Sequence, residues 1–152
     1  MSPSLSAPEH ETIFEANLAV PMRDGTVLRA DVTRPEGPGP FPVLLERTCY
    51  SKEGGSENGV KAPEFFARRG YAVIIQDVRG RFASEGEFYP FRDDGAGVLR
   101  DGYDTIEWAA EQPWCDGKVG MIGGSYSGTT QYRAALARPP HLQALFVRES
   151  AA

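Results

Sequence analysis

Ser125 is the residue whose surroundings most favour nucleophilic chemistry. It lies in the run GGSYSG over residues 123–128, after a short apolar stretch and before a segment of helical composition. A serine hydroxyl is a weak nucleophile, and enzymes activate it on a sharp strand-to-helix turn beside amides that stabilise an oxyanion. Glycines are needed there because a Cβ would clash in so tight a turn. The pattern Gly-x-Ser-x-x-Gly therefore predicts a nucleophilic serine at position 125.

Two other interpretations of this glycine-rich run stay open. Such a run can simply join a strand to a helix without any chemistry. Gly123 and Gly128 also have the spacing of a phosphate-binding Walker A loop, but Thr129 stands where that loop has lysine. The chain also contains no Gly-x-Gly-x-x-Gly dinucleotide pattern. Nucleotide binding is therefore the less favoured interpretation, and no cofactor or metal ion is expected.

A nucleophilic serine needs a general base, and the sequence offers few candidates. In this type of turn the acid and the histidine follow the serine in the chain, where only His141 and Glu149 are available. A helix over residues 126–137 would be about 18 Å long, which puts His141 near the opposite rim of the sheet. His10 precedes the first strand and is no better placed. The sequence thus predicts a nucleophile without its base, and a complete small esterase that uses His141 is the less favoured alternative.

Strands and helices alternate along the chain, which predicts a mostly parallel sheet. The expected elements are an antiparallel hairpin over residues 10–20 and 26–33, strands at 43–45, 71–75, 119–122 and 142–147, and helices over 62–69, 104–112 and 126–137. Asp104 and Glu107 have the spacing of a capping box that would start the second helix. Parallel strands bring their carboxyl ends to one edge of a sheet, so we expect the catalytic loops there.

Composition and charge argue against several classes of protein. The 152 residues include 16 basic and 21 acidic side chains, so no basic surface for nucleic acid is indicated. No apolar run approaches the roughly 20 residues of a membrane span, and no membrane partner is expected. Residues 1–9 are polar and lack the pattern of a signal peptide, so we expect a disordered tail and a cytoplasmic protein. Cys49 and Cys115 have no metal-type spacing and are expected to be reduced.

Four ordered stretches of the sequence resemble the X-Pro dipeptidyl-peptidase and cocaine-esterase-like (CocE/NonD) acyl hydrolases. They are residues 22–31, 42–52, 77–86 and 108–128. The nucleophile motif of this family is similar to Gly-x-Ser-Tyr-x-Gly. The resemblance therefore accounts for Ser127, which stands where the commoner motif has glycine. We expect the Ser127 hydroxyl or backbone to cap the following helix. The resemblance implies an α/β fold, namely a partial α/β-hydrolase fold whose mostly parallel sheet has an N-terminal antiparallel hairpin.

The resemblance implies roles for three groups. Ser125 would accept the acyl group, and the backbone amide of Tyr126 and the hydroxyl of Tyr50 would donate to the oxyanion. Tyr50 follows a core strand closely, and a phenol is protonated at pH 7 and can therefore donate. From the residues alone, an ordinary loop aromatic is the favoured interpretation of Tyr50.

The resemblance also implies that residues 10–152 are the N-terminal portion of a longer catalytic domain. The family's acid, histidine and β-rich domain correspond to positions after Ala152. The expected function is hydrolysis of a small acyl ester or peptide through an acyl-serine intermediate, with this portion alone nearly inactive. The alternative is a non-enzymatic remnant or interaction module, and an exposed sheet edge at residues 142–147 would allow self-association.

Other polar and aromatic residues are expected to be structural. Asp77, Arg79 and Arg81 lie at the end of a core strand and could bind a charged substrate, but an Asp/Arg pair that fixes the long loop that follows is the favoured interpretation. Trp108 and Trp114 flank the end of a helix, where packing is favoured over substrate binding.

Overall fold

The computed structural model describes residues 5–53 and 62–150, which form one six-stranded mixed sheet flanked by helices. The elements in chain order are β1 (Thr12–Pro21), β2 (Val27–Pro35), β3 (Phe41–Thr48), α1 (Pro63–Ala67), β4 (Ala72–Asp77), α2 (Asp101–Ala110), β5 (Cys115–Gly124), α3 (Tyr126–Leu136) and β6 (Leu142–Arg148). The strands lie side by side in the order β1-β2-β4-β3-β5-β6.

The sheet begins with the antiparallel hairpin that the sequence predicts. β1 pairs with β2 through a turn in which Gly25 has a φ of +85° and the Asp24 carboxylate accepts the backbone N–H of Thr26 at 3.1 Å. β2 is antiparallel to β4, whereas β4, β3, β5 and β6 are parallel to one another. The predicted mostly parallel sheet with an antiparallel start is therefore confirmed.

Helices cover both faces of the sheet because the core strands carry apolar side chains on both faces. On one face, α2 and α3 cover the larger cluster, which includes Leu45, Ile74, Ile106 and Met121. On the other face, Phe66 of α1 packs against a smaller cluster around Val73, Ile75, Leu44 and Ile122. Trp114 belongs to the larger cluster and Trp108 packs against it, as expected for packing residues.

The predicted capping box is wrong, because α2 begins at Asp101 with Arg100 as its N-cap. The Asp104 carboxylate instead accepts the guanidinium of Arg23 at 2.6 Å. The Glu107 carboxylate lies 2.7 Å from the ring nitrogen Nδ1 of His141. Both acids are thus engaged by residues far away in the sequence, which local spacing does not reveal.

β6 forms one edge of the sheet, and residues 143–146 are exposed. At the other end of the chain, residues 5–9 are exposed and have neither helix nor strand, although the backbone N–H of Glu9 donates to the Arg68 carbonyl at 2.8 Å. Residues 1–4 of the predicted disordered tail lie outside the described residues. Within the described ranges, no helix is long and apolar enough to cross a membrane.

Candidate active site

Ser125 occupies a sharp turn between β5 and α3. Its backbone has φ 53° and ψ −121°, a conformation that costs a non-glycine residue on the order of 1–3 kcal/mol. Its N–H donates to the Arg148 carbonyl of β6 at 3.1 Å, and its carbonyl accepts the N–H groups of Gly128 and Thr129 at 3.0 and 3.1 Å. The strand-to-helix turn predicted from the sequence is therefore present and held by hydrogen bonds on both sides.

Gly123 makes this turn possible. Its φ is +145°, and a Cβ at this position would lie 2.6 Å from the Cβ of Ser127. Any larger residue would push the first turn of α3 away from β5. The glycine therefore allows the close approach of strand and helix that the turn requires.

Tyr50 faces Ser125 from the loop after β3. Its hydroxyl oxygen lies 3.3 Å from the Ser125 hydroxyl oxygen, and its ring packs edge-on against Tyr126. The Tyr50 backbone N–H donates to the Thr48 hydroxyl at 3.0 Å, which fixes the start of the loop. β3 and β5 are parallel neighbours, so their carboxyl ends bring the two hydroxyl groups together.

Tyr126 is the first residue of α3. Its backbone N–H belongs to the first turn of a helix, where amides have no partner within the helix. Its ring stacks on Phe91 with a centroid separation of 4.3 Å, and its hydroxyl accepts the backbone N–H of Phe91 at 3.4 Å. Burial raises the pKa of the Tyr126 phenol, and the nearby Asp94 carboxylate raises it further. The side chain therefore stays neutral and anchors the start of α3 against Phe91.

Ser125 opens into a groove of about 320 Å³. The groove is lined by Tyr50, Phe91, Ser125, Tyr126, Thr129, Glu149 and Ser150. A larger cleft of about 810 Å³ runs along α3, shares Phe91 and Thr129 with the groove, and includes Tyr132 and Leu136. Together these cavities offer a polar end at the serine and a more apolar continuation.

Both histidines lie at the opposite rim of the sheet from Ser125. The carbonyl of His141 accepts the N–H of Val119, which is six residues before Ser125 on β5, or about 20 Å along the strand. The ring of His10 packs against Phe41 at the start of β3. Neither histidine can reach the Ser125 hydroxyl from these positions, which agrees with the placement of His141 expected from the helix length.

Ser127 does not cap α3, so that expectation is wrong. The N-cap is Ser125, and the helix start has no side-chain cap hydrogen bond. The Ser127 hydroxyl is fully buried and donates to the Glu46 carboxylate of β3 at 3.0 Å. Sequence reasoning missed Glu46, although a charged residue directly after the apolar run 43–45 was an available signal.

Arg47 was also missed, and it organises the interior beneath the site. It is fully buried, its Nε donates to the Gln76 side-chain oxygen at 2.7 Å, and a terminal nitrogen pairs with the Asp94 carboxylate. The Thr105 hydroxyl donates to the same Gln76 oxygen at 3.0 Å. This network joins β3 and β4 to α2 and to the loop that precedes α2.

Asp77, Arg79 and Arg81 hold loops in place, as expected, but not by pairing with one another. The Asp77 carboxylate accepts the N–H of Lys52 at 2.8 Å, and Arg81 donates to the Cys49 carbonyl at 3.2 Å.

The Arg79 guanidinium forms two hydrogen bonds to the Asp101 carboxylate, at 2.7 and 2.8 Å, and two to the Asp24 carboxylate, at 2.8 and 3.2 Å. Arg79 thereby connects α2 to the β1–β2 turn. Among the described residues, no group of three or more His, Cys, Asp or Glu side chains could hold a metal ion.

The fold and the strained serine turn define a chain of the α/β-hydrolase type. The chain belongs to the X-Pro dipeptidyl-peptidase (S15) family, whose sequence profile matches residues 24–152. It is 49% identical over 132 residues to the cocaine esterase of Rhodococcus sp. (strain MB1 Bresler). The matched region covers 86% of this chain and 22% of that relative. The family is one of serine hydrolases that act as esterases or peptidases.

Solved structures show the same relationship. A CocE/NonD family hydrolase from Staphylococcus aureus superposes with a TM-score of 0.81 and 33% identity, covering 90% of this chain and 27% of that one. An alpha-amino acid ester hydrolase superposes with a TM-score of 0.74 and 32% identity, covering 95% and 26%. This chain thus spans about a quarter or less of the length of these relatives.

Proposed function

We propose that this chain carries the nucleophile and the oxyanion-binding groups of a serine-dependent acyl hydrolase. Ser125 is the nucleophile, and the Tyr50 hydroxyl and the Tyr126 amide stabilise the oxyanion. The observation that carries the proposal is the 3.3 Å separation of the Tyr50 and Ser125 hydroxyl oxygens beside a strained turn. A phenol and a helix N-terminal amide on either side of a serine are suited to a tetrahedral intermediate.

The chemistry follows from this arrangement. The Ser125 oxygen attacks the substrate carbonyl carbon, and the negative charge that develops on the carbonyl oxygen is bound by Tyr50 and Tyr126. Collapse of the intermediate expels an alcohol or amine, which takes up the proton that Ser125 lost, and leaves an acyl group on Ser125. Water then attacks this acyl group, which releases the carboxylic acid and regenerates the serine hydroxyl.

We also propose that residues 10–152 are the N-terminal part of a larger hydrolase domain, which supplies the base and its acid partner. Two observations support this. Among the described residues, the histidines lie at the rim of the sheet opposite Ser125. The chain also covers only 22% of the length of the Rhodococcus cocaine esterase, to which it is 49% identical. Without a base to take the Ser125 proton, sustained turnover by this chain alone should be close to zero.

A small acyl ester is the substrate class that the site supports best, with a peptide or amide as the alternative. The polar groove at Ser125 continues into the apolar cleft beside α3, which suits an ester with an apolar or aromatic group. Two relatives named as esterases or ester hydrolases also favour an ester.

Mass spectrometry after incubation with p-nitrophenyl acetate tests this proposal. Water must take the Ser125 proton in place of the missing base, so acetylation of this activated ester should be slow. The expected product after long incubation is at most one acetyl group per chain, located on the peptide that contains Ser125 and missing from Ser125→Ala. Acetylation spread over lysines, and equal in both proteins, would contradict the proposed nucleophile.

A second candidate function is pairing with another polypeptide, and the exposed edge strand favours it. β6 ends the sheet with Leu145 and Phe146 exposed by 36% and 59%, and Arg148 is its only charged residue. Edge strands of this kind can pair with a further strand. We propose self-association of two copies through β6.

A cytoplasmic location remains part of the proposal. The two cysteines, Cys49 and Cys115, are both free thiols, as a reducing compartment would allow. Fractionation of the source cells tests it, since recovery of the protein in the exported fraction would contradict a cytoplasmic location.

A further inference from the structure

We propose that Glu46 and Ser127 are positioning residues that set the separation between the hydroxyl groups of Tyr50 and Ser125. This inference rests on the proposed function and adds two residues to it. The Ser127 hydroxyl donates to the Glu46 carboxylate at 3.0 Å, and the bond joins β3 to the first turn of α3.

The Glu46–Ser127 bond lies in the interior of the protein. Neither residue has any exposed surface, and Glu46 lies opposite Ile75 in the pairing of β3 with β4. A hydrogen bond to a carboxylate is stronger than one between neutral groups, and water does not compete for it at a buried site. The two elements are therefore held together at a defined distance.

The bond acts close to both functional hydroxyl groups. Glu46 is four residues before Tyr50, and Ser127 is two residues after Ser125. A shift of β3 relative to α3 would therefore change the distance between Tyr50 and Ser125 almost directly. The longer bond from the Thr130 hydroxyl to a β3 carbonyl, at 3.3 Å, lies one turn further along the helix and provides weaker control.

The Ser127 hydroxyl has no part in shaping the serine turn itself. The Ser127 Cβ packs beneath Gly123, and alanine would supply the same Cβ. The Ser127 carbonyl accepts the Thr130 hydroxyl and the Gln131 side-chain amide, both at 3.1 Å, which holds the backbone of the helix start. The hydroxyl is therefore free to serve the connection to Glu46.

Fluorine NMR of the whole chain labelled with 3-fluorotyrosine tests this role without any need for catalysis. The chain has six tyrosines, and Tyr50→Phe identifies the Tyr50 signal. Removing the neighbouring hydroxyl by Ser125→Ala should shift that signal in the otherwise unchanged protein. In a chain that carries Ser127→Ala, we expect Ser125→Ala to shift the Tyr50 signal much less. In a chain that carries Glu46→Gln, the shift should persist, because the amide oxygen still accepts the hydrogen bond from the Ser127 hydroxyl.

Ser84→Ala is the matched control. Ser84 is also buried, and its hydroxyl donates to the Asp77 carbonyl at 2.6 Å in a different loop. This variant should retain the Tyr50 response, and the signals of the other tyrosines should report that every variant is folded.

Three results would overturn the proposal. The Ser125→Ala shift of the Tyr50 signal could be undiminished in the Ser127→Ala background, it could be reduced equally in the Ser84→Ala background, or it could be absent from the starting protein. Failure of the proposed acyl transfer is a separate result, since it would appear as a missing acetyl group on Ser125 with the fluorine response intact.

Discussion

The hydroxyl oxygens of Tyr50 and Ser125 lie 3.3 Å apart although 75 residues separate them in the sequence. Parallel pairing of β3 with β5 brings the carboxyl ends of both strands to the same edge of the sheet. The edge-on contact between the rings of Tyr50 and Tyr126 supports this placement. The proposed acyl transfer depends on this pair, because one hydroxyl attacks and the other stabilises the resulting charge.

Tyr50→Phe should slow the acylation of Ser125 by about 10²–10³-fold, the usual cost of losing one oxyanion donor. The fold should persist, because Tyr50 is 47% exposed and phenylalanine keeps the ring contact. The rate of acetyl incorporation from p-nitrophenyl acetate measures the effect. Tyr71→Phe removes the hydroxyl of a tyrosine that is 38% exposed and directly precedes β4, at the opposite rim of the sheet, and should leave the rate unchanged. Equal rates for Tyr50→Phe and the original chain would exclude Tyr50 as a donor.

Gly123→Ala should destabilise the fold and disturb the serine turn. The added Cβ would lie 2.6 Å from the Ser127 Cβ, and the φ of +145° is strained for alanine, so a loss of at least about 1–3 kcal/mol is expected. Urea unfolding measures the free energy. Gly97→Ala is the control, because its Cβ would meet no atom closer than 3.8 Å. Equal stabilities of the two variants would show that the close approach of β5 and α3 is not required.

The pairing of Asp24 with Arg79 should make stability depend on pH in acid. Hydrogen bonding to Arg79 lowers the pKa of Asp24 from 3.8 to about 2. A carboxyl group with a lowered pKa in the folded state stabilises the fold above pH 4, and this contribution is lost as the pH falls towards 2.

The free energy of unfolding, measured by urea titration between pH 5 and pH 2, tests this dependence on Asp24. Asp24→Asn should reduce the loss of stability over this interval, and parallel pH profiles for the two proteins would contradict the prediction.

Phe146→Lys should weaken self-association through β6. The phenylalanine is 59% exposed on the edge strand, and a charge there opposes pairing between sheet edges. Sedimentation equilibrium over a range of concentrations measures the association. Phe82→Lys changes a residue that is 60% exposed in the loop after β4 and should have no effect on the association. A chain that stays monomeric at all concentrations would exclude β6 as a self-association site.

Most of the fold follows from local patterns in the sequence. The turn around Gly25 and the alternating residues beside it predict the hairpin, and short apolar runs predict the four parallel strands. The predicted start of α2 was wrong because its two acids have distant partners. Asp104 binds Arg23, which is 81 residues away, and Glu107 binds His141, which is 34 residues away. Competition of this kind between local and distant partners is not visible in spacing alone.

The candidate site divides in the same way. The turn at Ser125 and the remote position of His141 follow from glycine spacing and helix length, which are local properties. The role of Ser127 does not, because its partner Glu46 lies 81 residues away on another element. A buried carboxylate needs a partner, so Glu46 beside an apolar run indicates that one exists without identifying it.

The most direct test of the central claim is the release of p-nitrophenol from a p-nitrophenyl ester by the purified chain, compared with Ser125→Ala. Because this chain lacks the base, we expect slow Ser125-dependent release of at most one equivalent of p-nitrophenol per chain, without sustained turnover, and no such release by the variant. Identical release by both proteins would contradict the assignment of Ser125. Sustained turnover that depends on Ser125 would show that a base is present and would overturn the account of an incomplete catalytic domain.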